Sequence, residues 1–246
     1  PNEVFLTLGS KFERNAYSGF EFQPSARVSW LIDSNQTAWG AISRAVKTPY
    51  RNTSDGRLIL ASQNTGNGLY PIGFLGSAPN ASLESEQVLA YEAGYRIQPL
   101  KTVSFDLATF YNQYDDLIQG RLGTPQVLND PVLGNYLFIP ITPYNLNAAT
   151  SYGVELSANW EVTDNWLLTG NYNYLNLKLD KAPIAFSRAG TSPKNQFQIR
   201  STLQLPHNIE LNNALYFVDD LGGIGVPSYY RFDTRLAWKP LSGLEL

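Results

Sequence analysis

Few side chains in this sequence have the types and spacing that catalysis or metal binding requires. The chain has no cysteine and a single histidine, His207, which follows Pro206 in a predicted tight turn with no evident partner. Nucleophilic catalysis needs a base within hydrogen-bond reach of the nucleophile, and thiolate metal sites and disulfides need cysteines. We therefore expect no catalytic residues, no metal site, no cofactor and no disulfide framework.

Two pairs of carboxylates and one glycine cluster are the remaining chemical signals. Asp115-Asp116 and Asp219-Asp220 could contribute to a Ca²⁺ site, although both pairs fall in predicted loops, where solvated charges are commoner. The cluster at 222–225 (GGIG) lacks the strand-to-helix setting of a phosphate-binding loop, so we interpret it as a flexible loop. The net charge of −3, without any basic block, argues against a nucleic-acid partner.

Side chains suited to ligand binding lie in two long segments that are predicted to be irregular, one at 47–85, which is rich in Gly, Asn, Ser and Pro, and one at 115–149, which contains four prolines. Aromatic rings and arginines are frequent anchors in binding sites. The candidates are Tyr50, Arg51, Arg57, Tyr70 and Phe74 in the first segment, and Tyr136, Phe138 and Tyr144 in the second. An equally good interpretation is that these loops pack on themselves.

The elements that carry these loops are predicted to be strands, because apolar and polar residues alternate along much of the chain. One side of the run at 152–160 consists of Tyr152, Val154, Leu156, Ala158 and Trp160, and the positions between them include Glu155, Ser157 and Asn159. Successive side chains of a strand point to opposite faces, and about ten residues cross a bilayer when the strand is tilted. One face should therefore meet water and the other should meet hydrocarbon or a protein core.

The same alternation predicts about eleven strands, the last of them only beginning at the end of the chain. The predicted strands are 3–13, 22–32, 36–46, 89–97, 103–111, 152–160, 166–174, 197–205, 209–217 and 230–238. Their connections alternate short and long without exception, which predicts an up-and-down meander with long loops at one end. No run of 18 apolar residues exists, so a helical membrane span is excluded.

Aromatic residues near the strand ends give an independent indication. The tryptophans Trp30, Trp39, Trp160, Trp166 and Trp238 lie close to the predicted short turns. The opposite strand ends carry the tyrosines Tyr111, Tyr114, Tyr174, Tyr216, Tyr229 and Tyr230. Such rings form girdles at the two membrane–water interfaces of transmembrane barrels. Only the 36–46 strand is ambiguous, because Trp39 and Ile42 fall on opposite faces.

Several segments resemble the barrel of TonB-dependent outer-membrane receptors. The similar stretches are 22–30 (FQPSARVSW), 41–49 (AISRAVKTP), 89–96 (LAYEAGYR), 110–117 (FYNQYDDL), 151–156 (SYGVEL) and 230–236 (YRFDTRL). Their order and spacing, which extend over most of the chain, carry the resemblance more than any single motif does.

The resemblance implies an all-β, antiparallel, up-and-down transmembrane β-barrel, of which residues 1–246 form a part. Barrels of this family have about 22 strands around a plugged lumen. We therefore expect the chain to be the C-terminal half of a barrel, without the N-terminal plug, the TonB-contacting motif and the terminal strand. No leader peptide opens the sequence, which fits either a removed signal or an internal piece. An open half barrel would leave unpaired backbone at both edges, so it should not function alone.

The predicted water-facing side carries charged residues that the resemblance assigns to the lumen. These residues are Glu92, Arg96, Glu155, Arg200, Arg231, Asp233 and Arg235. We favour contact with the plug over contact with the ligand for them. The implied function is uptake of a scarce solute, most often a ferric siderophore, across the bacterial outer membrane, with membrane lipid, the plug, TonB and a small-molecule ligand as partners. A passive porin-type channel and a soluble β-sandwich binding module are the alternatives.

Overall fold

The computed structural model describes residues 2–180, 190–241 and 246. Its strands are β1 (Glu3–Asn15), β2 (Gly19–Leu31), β3 (Gln36–Lys47), β4 (Ile59–Asn64), β5 (Ile72–Ser77), β6 (Glu86–Leu100), β7 (Val103–Leu122), β8 (Gln126–Asp130), β9 (Gly134–Thr163), β10 (Trp166–Leu179), β11 (Asn195–Leu205), β12 (Ile209–Val218) and β13 (Tyr229–Trp238). One short helix, α1 (Arg51–Ser54), and a 3-10 turn (Pro206–Asn208) complete the described elements. No helix among these residues is long and apolar enough to cross a membrane.

Ten of the strands form one continuous antiparallel meander. Their order is β1-β2-β3-β6-β7-β9-β10-β11-β12-β13, so each strand pairs with the next long strand of the chain. This path confirms the predicted up-and-down topology and contains the ten complete strands that the alternation predicted. The strand predicted to begin at the C-terminal end falls largely in 242–245, and most of the predicted loop at 180–191 falls in 181–189; both lie outside the described residues.

One connection departs from the predicted alternation of short turns and long loops. Only residues 16–18 join β1 to β2, at the end of the sheet where the long loops lie. Asn15 makes this tight turn possible, because its Oδ1 accepts hydrogen bonds from the backbone N–H groups of Tyr17 (2.9 Å) and Ser18 (2.8 Å). The prediction that the alternation has no exception is therefore wrong at the first hairpin.

The two segments predicted to be irregular contain strands. β7 continues to Leu122 and β9 begins at Gly134, so most of 115–149 is paired backbone. In the first segment β4 and β5 form a hairpin, and β5 lies parallel to the start of β9, with Ile72 opposite Tyr136. The prolines of the second segment suggested a loop, but the extended backbone of Pro is compatible with a strand where its missing N–H is not needed. The result is a small loop sheet, β4-β5-β9-β8, beyond the meander.

Tight packing is concentrated in this loop region. Among the residues that the structure describes, the buried apolar side chains are Leu83, Phe138, Ile141, Ala149 and Ala237, and all of these except Ala237 lie near the long loops. The meander instead exposes large apolar side chains along its length, among them Leu6, Leu8, Leu107, Leu156 and Ile199. A single sheet with an extensive exposed apolar surface is typical of a barrel wall whose apolar side faces hydrocarbon. A two-layer soluble fold would instead bury that surface in a core.

The strand register separates the two faces as the alternation predicted. One row across the sheet is polar: Arg96, Asp106, Ser157, Asn171, Gln198, Tyr216 and Arg231. The neighbouring row of the other face is apolar: Leu107, Leu156, Tyr172, Phe197, Phe217 and Tyr230. We call these two sides the polar face and the apolar face.

Trp39 is the exception among the tryptophans. It pairs with Gly94 on the polar face, where the Arg27 guanidinium lies 5.0 Å from the centre of its ring. Gly94 provides the space, because a Cβ there would overlap the indole. The girdle prediction is therefore wrong for Trp39, whereas the other four tryptophans follow the apolar face. Those four are Trp30, Trp160, Trp166 and Trp238.

The tyrosines at the loop end divide between the faces. Tyr111, Tyr174 and Tyr230 belong to the apolar face, where the ring of Tyr111 lies 6.3 Å from that of Tyr91 and the ring of Tyr174 lies 6.5 Å from that of Tyr152. By register, Tyr114, Tyr216 and Tyr229 belong to the polar face instead. The girdle prediction is therefore wrong for these three tyrosines, because the two-residue alternation of the strand sets the face of a residue whatever its type.

Candidate functional site

Two cavities lie on the polar face of the wall. One of them, of about 570 Å³, lies near the short turns, and we call it the lower cavity. Arg96 and Asp106 lie side by side in its lining, with the Asp106 Oδ2 accepting from both Nε (2.7 Å) and Nη2 (2.6 Å) of Arg96. Glu155 and Asn171 line the same cavity from β9 and β10.

All seven residues predicted to face the lumen belong to the polar face by register. They are Glu92, Arg96, Glu155, Arg200, Arg231, Asp233 and Arg235. On β13, Arg231 bonds Asp233 (2.9 Å) and lies 4.3 Å from the centre of the Tyr216 ring, and Arg235 bonds Glu210 on β12 (3.3 Å).

Within the described chain, Glu92 and Glu155 differ from the other charged residues of this face. Neither carboxylate has a hydrogen-bond or ion-pair partner among residues 2–180, 190–241 and 246, and the same holds for the Arg200 guanidinium. Glu92 lies opposite Phe110, which in turn lies opposite Gly153, two residues before Glu155 on β9. The two carboxylates therefore lie on the polar face of β6 and β9, with β7 between them and an offset of two residues.

A second cavity, of about 780 Å³, lies on the polar face at the loop end, and we call it the upper cavity. The ends of β3, β6, β7, β9 and β10 contribute to its wall. Its polar lining is formed by Lys47, Tyr50, Glu86, Gln87, Tyr114, Gln119 and Asn147. Apolar groups fill the spaces between them, chiefly Val88, Leu117, Ile118 and Leu179.

The charges in the upper cavity form one ion pair. Lys47 Nζ lies 2.5 Å from Glu86 Oε2 and 5.4 Å from the centre of the Tyr50 ring. The other carboxylate oxygen, Glu86 Oε1, accepts a hydrogen bond from the Ile118 backbone N–H at 2.8 Å. The register of β7 against β9 shifts just before Ile118, so Glu86 stabilises the backbone where the regular ladder is broken. Its side chain is 14% exposed, compared with 59% for Lys47.

The neutral polar groups of the upper cavity are held by their neighbours to different degrees. Asn147 donates to Gln119 Oε1 (3.3 Å), and the Tyr114 hydroxyl lies 3.4 Å from the Ser151 hydroxyl. Tyr50 is 62% exposed and contacts Lys47 through its ring face. The cavity can thus offer hydroxyl, amide and apolar contacts to a molecule of moderate size.

The structure brings only one of the eight predicted ligand residues, Tyr50, into the upper cavity. Phe138 is 2% exposed, with the Arg57 guanidinium 5.1 Å from its ring centre. Phe74 and Tyr136 pack edge to face, with their ring centres 5.3 Å apart. These four residues contact one another at the loop sheet, which agrees with the self-packing alternative, although Arg57 is exposed and Phe74 and Tyr136 are half-buried. Phe138 is buried and therefore cannot contact a ligand in this conformation.

The other three predicted ligand residues lie outside the upper cavity. Arg51 is exposed at the start of α1, Tyr144 is exposed on β9, and Tyr70 is half-buried in the β4–β5 turn. The tyrosine's carbonyl accepts from the Thr65 hydroxyl. The sequence did not predict the other polar residues of the cavity lining, which are Lys47, Glu86, Tyr114, Gln119 and Asn147. Extending the two-residue alternation of β6 back from Glu92 would have placed Glu86 on the same face.

The carboxylate pairs have local partners. Asp116 has a positive φ of 57° at the irregularity in β7, and its Oδ2 accepts from the Gln87 side chain (2.9 Å). Asp219 Oδ2 accepts from the Asn195 side chain (2.8 Å), and this bond, followed by one from the Asp220 backbone N–H, lowers the pKa of the Asp219 carboxyl. In the described part of the chain, no three His, Cys, Asp or Glu side chains are grouped so that they could hold a metal ion.

Residues 2–246 match the family described as TonB dependent receptor-like, beta-barrel. The iron-regulated outer membrane virulence protein of Vibrio cholerae serotype O1 is 22% identical over 244 residues, which cover 95% of this chain and 35% of that protein.

Two solved structures have a similar fold. The siderophore receptor PirA of Acinetobacter baumannii superposes with a TM-score of 0.76 at 18% identity, over 97% of this chain and 38% of that one. The alcaligin outer membrane receptor FauA of Bordetella pertussis superposes with a TM-score of 0.61 at 17% identity, over 98% of this chain and 38% of that one. The chain thus spans little more than a third of the length of the relatives that it matches.

Proposed function

The chain belongs to the TonB-dependent receptor family, as part of its β-barrel, and we propose that its parent protein takes up a ferric siderophore. The resemblance seen in the sequence is confirmed, and membership places the chain in the bacterial outer membrane. The observation that carries the proposed function is a membrane-length wall with an apolar outer side, whose polar side holds a cavity at each end.

The upper cavity is the proposed point of ligand capture. It lies at the end of the sheet that carries the long loops, which is the extracellular end in outer-membrane barrels. Its volume of about 780 Å³ is within the range of small-molecule sites. Tyr50 is the most accessible aromatic residue in its lining, and we propose that this ring contacts the ligand.

The charged residues lower on the polar face are proposed to contact a plug domain supplied by the rest of the protein. Glu92 and Glu155 supply two carboxylates without described partners, and Arg200 supplies a guanidinium in the same state. Charges on a wall that encloses a folded domain are stabilised when that domain carries the opposite charge. Energy from TonB would then move the plug and open the path between the two cavities.

The two alternative functions are less well supported. A soluble β-sandwich needs two packed sheets, whereas the ten long strands follow a single path and leave their apolar face exposed. A passive porin-type channel would share this wall, but its lumen has no plug. Family membership favours the receptor.

Transport of a labelled iron chelate tests the proposal. The full-length receptor would be expressed in a Gram-negative host that lacks its own siderophore receptors, under iron starvation. We expect accumulation of a radiolabelled ferric siderophore that requires both the receptor and TonB and stops when the proton gradient is collapsed. Solute entry that persists without TonB or the gradient would instead indicate a passive channel.

A further inference from the structure

We propose that the upper cavity selects an iron chelate that carries no net negative charge, such as a ferric trihydroxamate, over a polyanionic ferric tricatecholate. The inference rests on the proposed function and narrows it to a class of substrate. It is drawn from the charges, hydrogen bonds and apolar groups of the cavity itself.

The charged groups of the upper cavity cancel each other. Among the described residues that line it, Lys47 is the one cation and Glu86 the one anion, and they are joined at 2.5 Å. The ammonium group is also engaged by the Tyr50 ring at 5.4 Å. An anionic ligand would have to compete with Glu86 for Lys47, and breaking that pair would leave the nearly buried carboxylate without its cation.

The neutral groups of the cavity are suited to an uncharged ligand. Gln119 and Asn147 present amide groups, Tyr50 and Tyr114 present hydroxyl groups, and aliphatic side chains lie between them. A polyanion entering this lining would lose hydration without gaining a cluster of arginines or lysines in exchange. A neutral chelate with an amide-rich exterior loses less hydration and can form hydrogen bonds with the same groups.

The charge of a ferric chelate follows from its donor groups. Three hydroxamate monoanions balance the charge of Fe³⁺, so the complex is neutral. Three catecholate dianions leave the complex strongly negative. The two complexes therefore probe the same iron geometry at different charge.

The experiment compares the binding of these two chelates to the purified full-length receptor by quenching of its tryptophan fluorescence. We expect the neutral trihydroxamate complex to bind at least about tenfold more tightly than the tricatecholate complex. Leu179→Lys adds a cation to the cavity lining and should strengthen tricatecholate binding by about fivefold, which is the effect of a unit charge a few ångströms away in water. The matched control is Asn176→Lys, which adds the same charge to the apolar face of the same strand and should leave the ratio unchanged.

The outcomes separate the inference from the proposed function. Equal or tighter binding of the tricatecholate by the unmodified receptor would overturn the inference and leave siderophore uptake standing. A Leu179→Lys variant whose tricatecholate affinity does not change would also count against it, because the added charge would then lie outside the binding site. If neither chelate binds or supports growth on limiting iron, the proposed function is wrong and the inference fails with it.

Discussion

An arginine placed on each face at the middle of β9 tests the orientation of the whole wall. Leu156 belongs to the apolar face and Ser157, the next residue, to the polar face. If the apolar face meets hydrocarbon, Leu156→Arg should destabilise the barrel strongly and Ser157→Arg should not. The two variants add the same side chain at adjacent positions, so each is the control for the other.

The magnitude follows from the depth of Leu156. It lies four residues from Trp160, near the short-turn end, and four residues from Tyr152, whose ring lies beside that of Tyr174 at the loop end. At about 3.3 Å per residue and a tilt of about 40°, each stretch rises about 10 Å along the membrane normal. Leu156 is therefore close to the bilayer midplane, where an outward arginine costs about 2–4 kcal/mol. An arginine at position 157 would be hydrated in the lumen and should cost less than about 1 kcal/mol.

The assay is the free energy of unfolding of the full-length receptor in phospholipid vesicles, followed by tryptophan fluorescence across a denaturant series. The abundance of each variant in outer membranes provides a second readout. Equal losses for the two variants, or a larger loss for Ser157→Arg, would refute the assignment of the faces and with it the reasoning about the lumen.

Three further predictions concern the loop end. Glu86→Ala should speed hydrogen exchange of the Ile118 amide, at the register shift that we call the β7 bulge, by about tenfold to a hundredfold, because a bond to a charged acceptor contributes about 1.5–3 kcal/mol. Lys47→Ala should change this exchange rate less than about fivefold. Phe138→Ala should destabilise the loop sheet by about 3–5 kcal/mol and expose it to limited proteolysis. Hydrogen bonds, chiefly that from Asn195, lower the pKa of Asp219 in the folded protein, so they stabilise the fold at pH values above the ordinary Asp pKa. This stabilisation is lost as the pH falls through the lowered pKa. Asn195→Ala should therefore raise the Asp219 pKa toward its ordinary value in an NMR titration.

Each of these predictions has a control and a contrary result. Glu86→Gln keeps an oxygen acceptor and should give an intermediate exchange rate; equal effects of the Glu86 and Lys47 substitutions would mean that the ion pair is what stabilises the bulge. The exposed Val132 is the control for Phe138, and loops that resist protease in Phe138→Ala would contradict the packing role. An Asp219 pKa that does not move in Asn195→Ala would show that the lowering has another source.

The alternation of side chains gave a reliable account of the spanning strands. Each predicted strand core, such as 152–160 or 209–217, agrees with an observed strand to within one residue. The two faces are those that the pattern indicated, except at 36–46, where the pattern left them ambiguous. A transmembrane strand must separate lipid from water over its whole length, so apolar residues occupy every second position of its sequence. The charged residues of the polar face could be identified for the same reason.

The structure of the loop end depends on pairings between strands that are distant in sequence, which the local alternation of side chains does not reveal. The β4–β5 hairpin lies in a segment rich in Gly and Asn, and its partner strand is more than sixty positions away at Tyr136. Phe74, Tyr136 and Phe138 therefore read as possible ligand anchors in the sequence but pack together in the structure.

The sequence by itself determined that a ten-strand wall exists and which side of it faces lipid, because both follow from a two-residue period. The tertiary structure alone decided that Trp39 covers Gly94 and that Lys47, Glu86 and Asn147 meet in the upper cavity. These contacts join strands that are distant along the chain, and their geometry depends on register shifts and on the space left by a neighbouring residue. Local periodicity carries no record of either.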